Sequence, residues 1–377
     1  MAKLIICLDG LGFDKISRIN TPFLYEFSRK NHIARLKTLF AFTGIEVAFF
    51  SGKNPEKSNT WLEFVYSPKT SPFKWQKYFL FLGRKAIDYS SVLMQYLGGR
   101  NFISKTYHIP YKVMGNFDIS TRENIWQLNV FNNKKFICYK FPFFVKNNKI
   151  KIIPFYESDG GRCNRLVKSI NKETEIYAVQ LLGIDKASHK YGSNNYETLK
   201  RIKELDKLIE KTVYNFKRRI PDLDIVLWSD HGFLDIKRYV NLEKMLPKSK
   251  DYVAFYGGTT ASFWFKNENI KKEVIGRLKK FDFGHILAEK EKIKYKMPLS
   301  MKHGEIIFAV NPGIMIFPNY YEKTKEEKFK AMHGYTHSNE LDGIFITNIK
   351  CKKKVLKMCE VKTILNDKSM PDKSSFR

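Results

Sequence analysis

Ile225-Val226-Leu227-Trp228-Ser229-Asp230-His231-Gly232 decides how this chain folds and where its chemistry sits. The first four residues form an apolar run of the kind expected in a buried strand. That strand ends by presenting an acid and an imidazole side by side. Aspartate offers a hard oxygen and histidine a borderline nitrogen, a donor pair suited to a divalent metal. Gly232 lets the backbone turn away tightly. Taken alone, the tetrapeptide reads more readily as an aspartate capping the next helix beside a surface histidine. Three further clusters shift the balance towards the metal.

At the N-terminus, residues 3–8 read as a fully buried strand that runs straight into Asp9-Gly10. Ligand sites of open α/β sheets gather at the carboxyl ends of strands, which is where Asp9 falls. A second strand-like run, residues 176–182, leads into Gly183-Ile184-Asp185-Lys186-Ala187-Ser188-His189. Asp185 and His189 are four apart, so one helical turn brings both to the same face. Residues 196–216 carry Leu199, Ile202, Leu205, Ile209, Val213 and Phe216 at helical spacing, which predicts an amphipathic helix packed on a sheet. The third cluster, Met332-His333-Gly334-Tyr335-Thr336-His337, precedes a strand-like run at 343–347 and holds two of the chain's eight histidines. His333 and His337 both suit a ligand role, and spacing alone does not separate them.

An Asp after the first strand, D-x-x-x-H-x-x-G, S-D-H-G and a late H-G-Y, in that order, resemble the alkaline phosphatase superfamily. The type I phosphodiesterase/nucleotide pyrophosphatase branch is the nearest match, and the resemblance runs from Asp9 to a closing helix near residues 361–365. It implies a three-layer α/β/α core with a mostly parallel central sheet and an inserted cap. It also implies a nucleophile ahead of a Thr/Ser-Gly-x-x-Pro-Glu segment. Ser51-Gly52-Lys53-Asn54-Pro55-Glu56 matches that segment, and Thr43, eight residues before it, is the candidate nucleophile. Thr43-Gly44-Ile45-Glu46 is also a capping-box pattern, and a hydroxyl at a helix start is well placed to meet a phosphate.

Carried over residue by residue, the resemblance implies two divalent metal ions. One would be held by Asp185, His189 and His333, the other by Asp9, Asp230, His231 and the Thr43 oxygen. His337 takes second place because it lacks the Gly-Tyr that follows His333. A mixed Asp/His set suits zinc, with manganese as the alternative. A threonine hydroxyl is a poor nucleophile at neutral pH unless a metal activates it, and two metals can clamp an in-line displacement. A covalent intermediate on Thr43 is the expected consequence. One residue departs from the pattern: nucleotide pyrophosphatases usually carry Asn three residues after the nucleophile, and this chain has Glu46. A carboxylate facing phosphate is repulsive unless protonated, paired or turned away, so oxyanion stabilisation is assigned to the Gly44 amide or a basic side chain. The sulfatase C/S-x-P-x-R motif is missing, which favours phosphate over sulfate esters.

The 377 residues suffice for a large core plus an inserted subdomain. Five scattered cysteines without a CxxC pair read as reduced thiols. No signal peptide or membrane-length apolar run is found, so the expected location is cytoplasmic. The formal charge of +29, from 67 Lys+Arg against 38 Asp+Glu, favours phosphorylated or nucleotide-like substrates and permits nucleic acid or an anionic surface as partner. The alternative origin of that charge is a Lys-rich composition with lysines spread throughout.

The motifs divide the chain into core segments 1–60, 165–237 and 301–377, an aromatic and basic cap at 61–164, and a second cap segment at 238–300. Rings such as Trp61, Phe64, Tyr66, Phe73, Trp75, Tyr78, Phe79, Phe81, Tyr107 and Tyr111 would either stack a base or build a small subdomain core. Residues 305–310 and 314–317, joined by Asn311-Pro312-Gly313, look like a β-hairpin, and His303 just before it is a secondary candidate for the substrate pocket. The leading function is a two-metal phosphodiesterase or pyrophosphatase. The alternatives are a phosphomonoesterase or phosphotransferase acting on a glycan or lipid phosphate, and a non-catalytic polyanion-binding protein.

Overall fold

The computed structural model describes residues 2–40, 45–78, 83, 87–88, 90–91, 108–120, 150–153, 157–322, 324, 326, 328–336 and 338–366. Thr43, Gly44, Phe79, Phe81, Tyr107, Cys138 and His337 lie outside the described residues.

A seven-stranded sheet forms the centre, in the spatial order Val355–Lys357, His32–Lys37, Gly343–Thr347, Asp224–Trp228, Lys3–Leu8, Ile176–Leu181 and Ile150–Ile153. Only Gly343–Thr347 runs against the others, so the sheet is largely parallel. The inner stretches of its central strands, Leu4–Leu8, Ile176–Val179 and Ile225–Trp228, are continuously apolar because both faces are covered. Ile225 and Leu227 join one core with Ile202, Leu205, Ile209, Val213 and Phe216 of the long helix Tyr196–Arg219. Val226 and Trp228 join a second core with Phe49 and Phe50 of the helix Ile45–Ser51 and Val361 of the closing helix Val361–Asn366. Side chains of a strand alternate between faces, so one continuous apolar run feeds two cores. The result is an α/β architecture with helices on both sides of the sheet. Among the described residues no helix is long and apolar enough to cross a membrane.

A second sheet of four antiparallel strands has the order Tyr252–Tyr256, Thr260–Phe265, Ile306–Val310, Gly284–Ile286. It shares an aromatic core with the strand pair Phe64–Tyr66 and Phe117–Ile119. Trp61, Phe64 and Phe73 are buried, and Tyr66 stacks on Trp264 at 5.0 Å, so these rings build cores.

Three expectations change here. Ile306–Val310 and Ile314–Ile316 are not a hairpin: the first pairs with Thr260–Phe265 and Gly284–Ile286, the second lies parallel to Arg238–Val240. The Asn-Pro-Gly turn signal is local, whereas the partners offered by the second sheet come from elsewhere in the chain. For the same reason Ile306–Val310, read as part of the last core segment, belongs to the second sheet. Ile150–Ile153, read as lying within the cap at 61–164, is an edge strand of the central sheet, paired with Ile176–Leu181.

Candidate metal centre

Three neighbouring parallel strands deliver their carboxyl ends to one place. Asp9 directly follows Lys3–Leu8, Asp230 follows Asp224–Trp228 by one residue, and Asp185 sits in the first turn of the helix Gly183–Tyr191 that follows Ile176–Leu181. Donor atoms of Asp9, Asp230 and His231 lie within 4.8 Å of one another, and so do those of Asp185, His231 and His333. His189 joins the second group, its Nε2 3.4 Å from Asp185 Oδ1 and its ring 5.4 Å from that of His333. The structure thus gathers six of the candidate side chains into two adjoining clusters, with His231 standing between them.

The polar contacts around the clusters fix which atoms point inwards. Nδ1 of His231 is 3.1 Å from the Gly232 carbonyl, and Nδ1 of His189 is 3.0 Å from the Ala331 carbonyl. A carbonyl only accepts, so each Nδ1–H donates and each Nε2 presents its lone pair. Nε2 of His231 lies 3.6 Å from both Asp9 Oδ1 and Asp230 Oδ2. Asp230 is held through its other oxygen, which accepts from the His231 amide at 3.0 Å and the Gly10 amide at 3.3 Å. Asp9 accepts from Gln180 Nε2 at 2.6 Å. Gly10 has φ of +79°, and a Cβ there would come within 2.6 Å of the Phe233 ring. Gly232 is required for a different reason, since a Cβ would fall 2.1 Å from the Glu340 carbonyl oxygen.

His333 arrives from far along the chain. Leu234-Asp235, just past the S-D-H-G turn, pairs antiparallel with Ala331-Met332 and delivers the next residue to the site. The His333 ring stacks on His231 at 3.7 Å, and Phe233 packs edge-on against His189, His231 and His333. His333, which the resemblance ranked above His337, joins the clusters. Nδ1 of His333 is buried with no hydrogen-bond partner.

The electrostatics of the clusters call for a cation. Burial pushes the Asp9 carboxyl well up, and Asp230, Asp185 and Glu46 push it further. Burial also takes Glu46 up to about 7; its own backbone amide opposes this and Asp230 adds to it. The His333 imidazole is driven well down by burial, then by His231 and His189. Among the described residues the only ion-pair partner of Asp9 and Asp230 is His231. Grouped buried and half-buried carboxylates that among the described residues pair with no Lys or Arg, inward-facing imidazole lone pairs and an orphaned buried ring nitrogen form a donor set that fits divalent metal ions.

His303 is not part of this centre. It is fully buried, its ring edge-on to Trp61 at 5.9 Å and its Nε2 3.3 Å from Asn59 Oδ1. Burial, with Lys302 adding to it, pushes its imidazole down to about 4. Its surroundings are those of a packed core histidine, enclosed against Trp61.

Sequence reading missed three supporting residues. Gln180, which holds Asp9, is the single polar residue of an apolar strand, and that interruption was the available signal. Ser229 Oγ donates to the Leu11 carbonyl at 2.6 Å, tying two strand-end loops together. Asp159 accepts from the Leu182 amide at 3.0 Å and from Arg162 and Arg201 at 2.7 Å each, bracing the turn that carries Asp185. Nothing local in the sequence marked Asp159.

The family model for type I phosphodiesterase / nucleotide pyrophosphatase matches residues 3–336. Among solved structures, human ectonucleotide pyrophosphatase / phosphodiesterase 5 is similar at 15% identity and a TM-score of 0.66, covering 98% of this chain and 96% of that one. The murine ectonucleotide pyrophosphatase / phosphodiesterase 5, solved as an inactive threonine-to-alanine form in complex with AMP, is similar at 14% identity and a TM-score of 0.64, with the same coverage. No curated protein matches the sequence. At these identities the solved structures speak for the fold, and the family model speaks for membership. The chain belongs to the type I phosphodiesterase/nucleotide pyrophosphatase family, hydrolases of the alkaline phosphatase superfamily.

Proposed function

We propose that the protein hydrolyses phosphodiester or pyrophosphate bonds of nucleotide-like substrates through a covalent intermediate on Thr43. The observation that carries this reading is the pair of adjoining Asp/His clusters at the carboxyl ends of three parallel strands. Asp185, His189 and His333 would hold one divalent ion, and Asp9, Asp230, His231 and the Thr43 oxygen the other. Zinc is the first choice for so mixed a donor set and manganese the second. Bound metal ions supply charge neutralisation for the phosphoryl oxygens and acidify the threonine hydroxyl.

The chain's own side chains do the rest. Gln180 and the Gly10 amide hold Asp9 and Asp230 in place, while the Gly232 and Ala331 carbonyls fix the tautomers of His231 and His189. Thr43 would attack phosphorus and expel the leaving alcohol or phosphate, which takes up the hydroxyl proton, and water would then cleave the resulting nucleotidyl-threonine diester to release the nucleotide and regenerate the hydroxyl. The Gly44 amide is assigned to a phosphoryl oxygen. The +29 charge draws anionic substrates to the protein and extends its reach to nucleic acid or anionic surfaces. The murine relative's AMP complex supports a nucleotide-like substrate, and its inactive threonine-to-alanine form supports a threonine nucleophile. Free thiols at Cys7, Cys163, Cys351 and Cys359 support a cytoplasmic setting. Segments 61–149 and 238–310, the latter closing with the second-sheet strand Ile306–Val310, are assigned to the cap.

Hydrolysis of bis-p-nitrophenyl phosphate against p-nitrophenyl phosphate, with zinc or manganese and then with chelator, tests the proposal. Metal-dependent preference for the diester is expected. Preference for the monoester would transfer the assignment to a phosphomonoesterase or phosphotransferase. No turnover of either, with salt-sensitive nucleic-acid binding, would favour the polyanion-binding alternative. A second expectation concerns Gln180→Leu, which strips Asp9 of its donor. It should weaken metal binding about 10- to 100-fold, read by competition with a chromophoric chelator. Unchanged affinity would show that Asp9 needs no such support.

A further inference from the structure

The helix Gly183–Tyr191 carries Asp185 and His189 to the metal centre on one face and has a different use for the other. At about 100° per residue, Gly183, Lys186, Lys190 and Tyr191 point away from those two ligands. Together with one face of the helix Tyr196–Arg219 they line a groove of about 350 Å³. The two helices come close here, since a Cβ on Gly183 would fall 2.3 Å from Arg201 Nε.

The charges in the groove do not balance. Lys186, Lys190 and Lys200 line it and are exposed, and among the described residues no acid pairs with any of them. Arg201 is already engaged, by Asp159 Oδ2 at 2.7 Å and Glu204 Oε2 at 3.1 Å, which leaves Glu197 as the lining carboxylate without a cation. Lys186 and Lys190 stand four apart on one helix, a like-charge pair that repels until an anion lies between them. The rings at the end of the groove are uncovered as well. Tyr191 is 40% exposed, with Lys190 Nζ 4.7 Å from its ring centroid. Tyr196 is 73% exposed and starts the next helix four residues before Lys200, so it shares that lysine's face. A lone phosphate would satisfy the lysines and leave both rings bare, whereas a strand of nucleotides uses lysines and rings together.

We propose that this groove binds single-stranded nucleic acid, with backbone phosphates on Lys186, Lys190 and Lys200 and bases stacked on Tyr191 and Tyr196. The inference rests on the reading of the net charge as attraction for nucleic acid and deepens it, by giving that attraction a place on the molecule. It needs neither metal ion, because the groove and the metal donors lie on opposite faces of the helix they share.

Fluorescence anisotropy of a labelled oligothymidylate, titrated with the full-length protein over a series of salt concentrations, tests this without reference to turnover. Lys186→Ala/Lys190→Ala/Lys200→Ala should weaken binding at least about tenfold and lower the slope of log K against log salt by about 2. Lys290→Ala/Lys294→Ala/Lys302→Ala removes the same charge from exposed lysines elsewhere and should leave that slope at its wild-type value. Tyr191→Ala/Tyr196→Ala should weaken binding about fivefold or more at an unchanged slope, because stacking releases no counterions. Each result is expected with chelator as without it. Equal losses in the two lysine variants would return binding to overall charge and overturn the inference. Binding that chelator abolishes would place the strand at the metal centre and overturn it too, as would wild-type protein that leaves the strand free. Diester turnover is read separately, so failure of the hydrolase proposal leaves these results standing.

Discussion

Thr43→Ala and Asp230→Asn should each lower kcat/KM for a phosphodiester about a thousandfold, and the second, which removes a charged ligand where water can replace the Thr43 oxygen, should lose far more metal. A thousandfold corresponds to about 4 kcal/mol of transition-state stabilisation, the scale expected when a nucleophile or a metal's charge is removed from phosphoryl transfer. Asp230→Asn keeps the side-chain shape. Its Oδ1 contacts to the Gly10 and His231 amides survive, so the turn stays folded. What disappears is the negative charge facing His231 Nε2 at 3.6 Å. Thr43→Ala leaves every described member of both clusters in place. Steady-state kinetics combined with metal analysis of the two purified variants separate these roles. Thr43→Ala protein that retains full turnover would reassign the nucleophile. Asp230→Asn protein that retains both ions would take Asp230 out of the ligand set.

The second large effect is on stability. Asp159 is buried at the start of the helix Asp159–Lys168, with its carboxylate between two guanidinium groups. Arg162 is 2% exposed and also donates to the Gln180 carbonyl. Asp159→Ala leaves the buried Arg162 without its counter-charge and the Leu182 amide without its acceptor. Breaking a buried pair from one side costs about 3–5 kcal/mol, because the remaining charge stays desolvated. An unfolding free energy lowered by that amount, seen as a lower urea midpoint at unchanged slope, is the expected result. The double variant Asp159→Ala/Arg162→Met should recover part of the loss, since it removes the orphaned charge as well. Equal stability of wild type and Asp159→Ala would mean that Arg162 finds water or another acceptor on the loss of its partner. Because Gln180 also holds Asp9, the same variant should show weaker metal binding than its stability loss alone explains.

The sequence by itself determined the elements and the ends that matter. Apolar runs within Lys3–Leu8, Ile176–Leu181 and Asp224–Trp228 read as strands buried on both faces, and each ends at or near an acid. Helical spacing from Leu199 to Phe216 gave the long helix, because periodicity records which face is buried. The ordered motifs led to the family, and with it to Asp9, Asp185, His189, Asp230, His231 and His333. Tertiary structure decided the matters that depend on partners. Periodicity states that a residue is buried without stating against what, so the sheet that takes Ile306–Val310, or receives Ile150–Ile153, is invisible locally. The delivery of His333 to the clusters rests on the pairing of Leu234 with Met332, a contact across 98 residues that no local signal encodes. Gln180, Ser229 and Asp159 likewise acquire their roles only when distant strand ends meet, since a hydrogen bond needs its acceptor in place before its donor has any meaning.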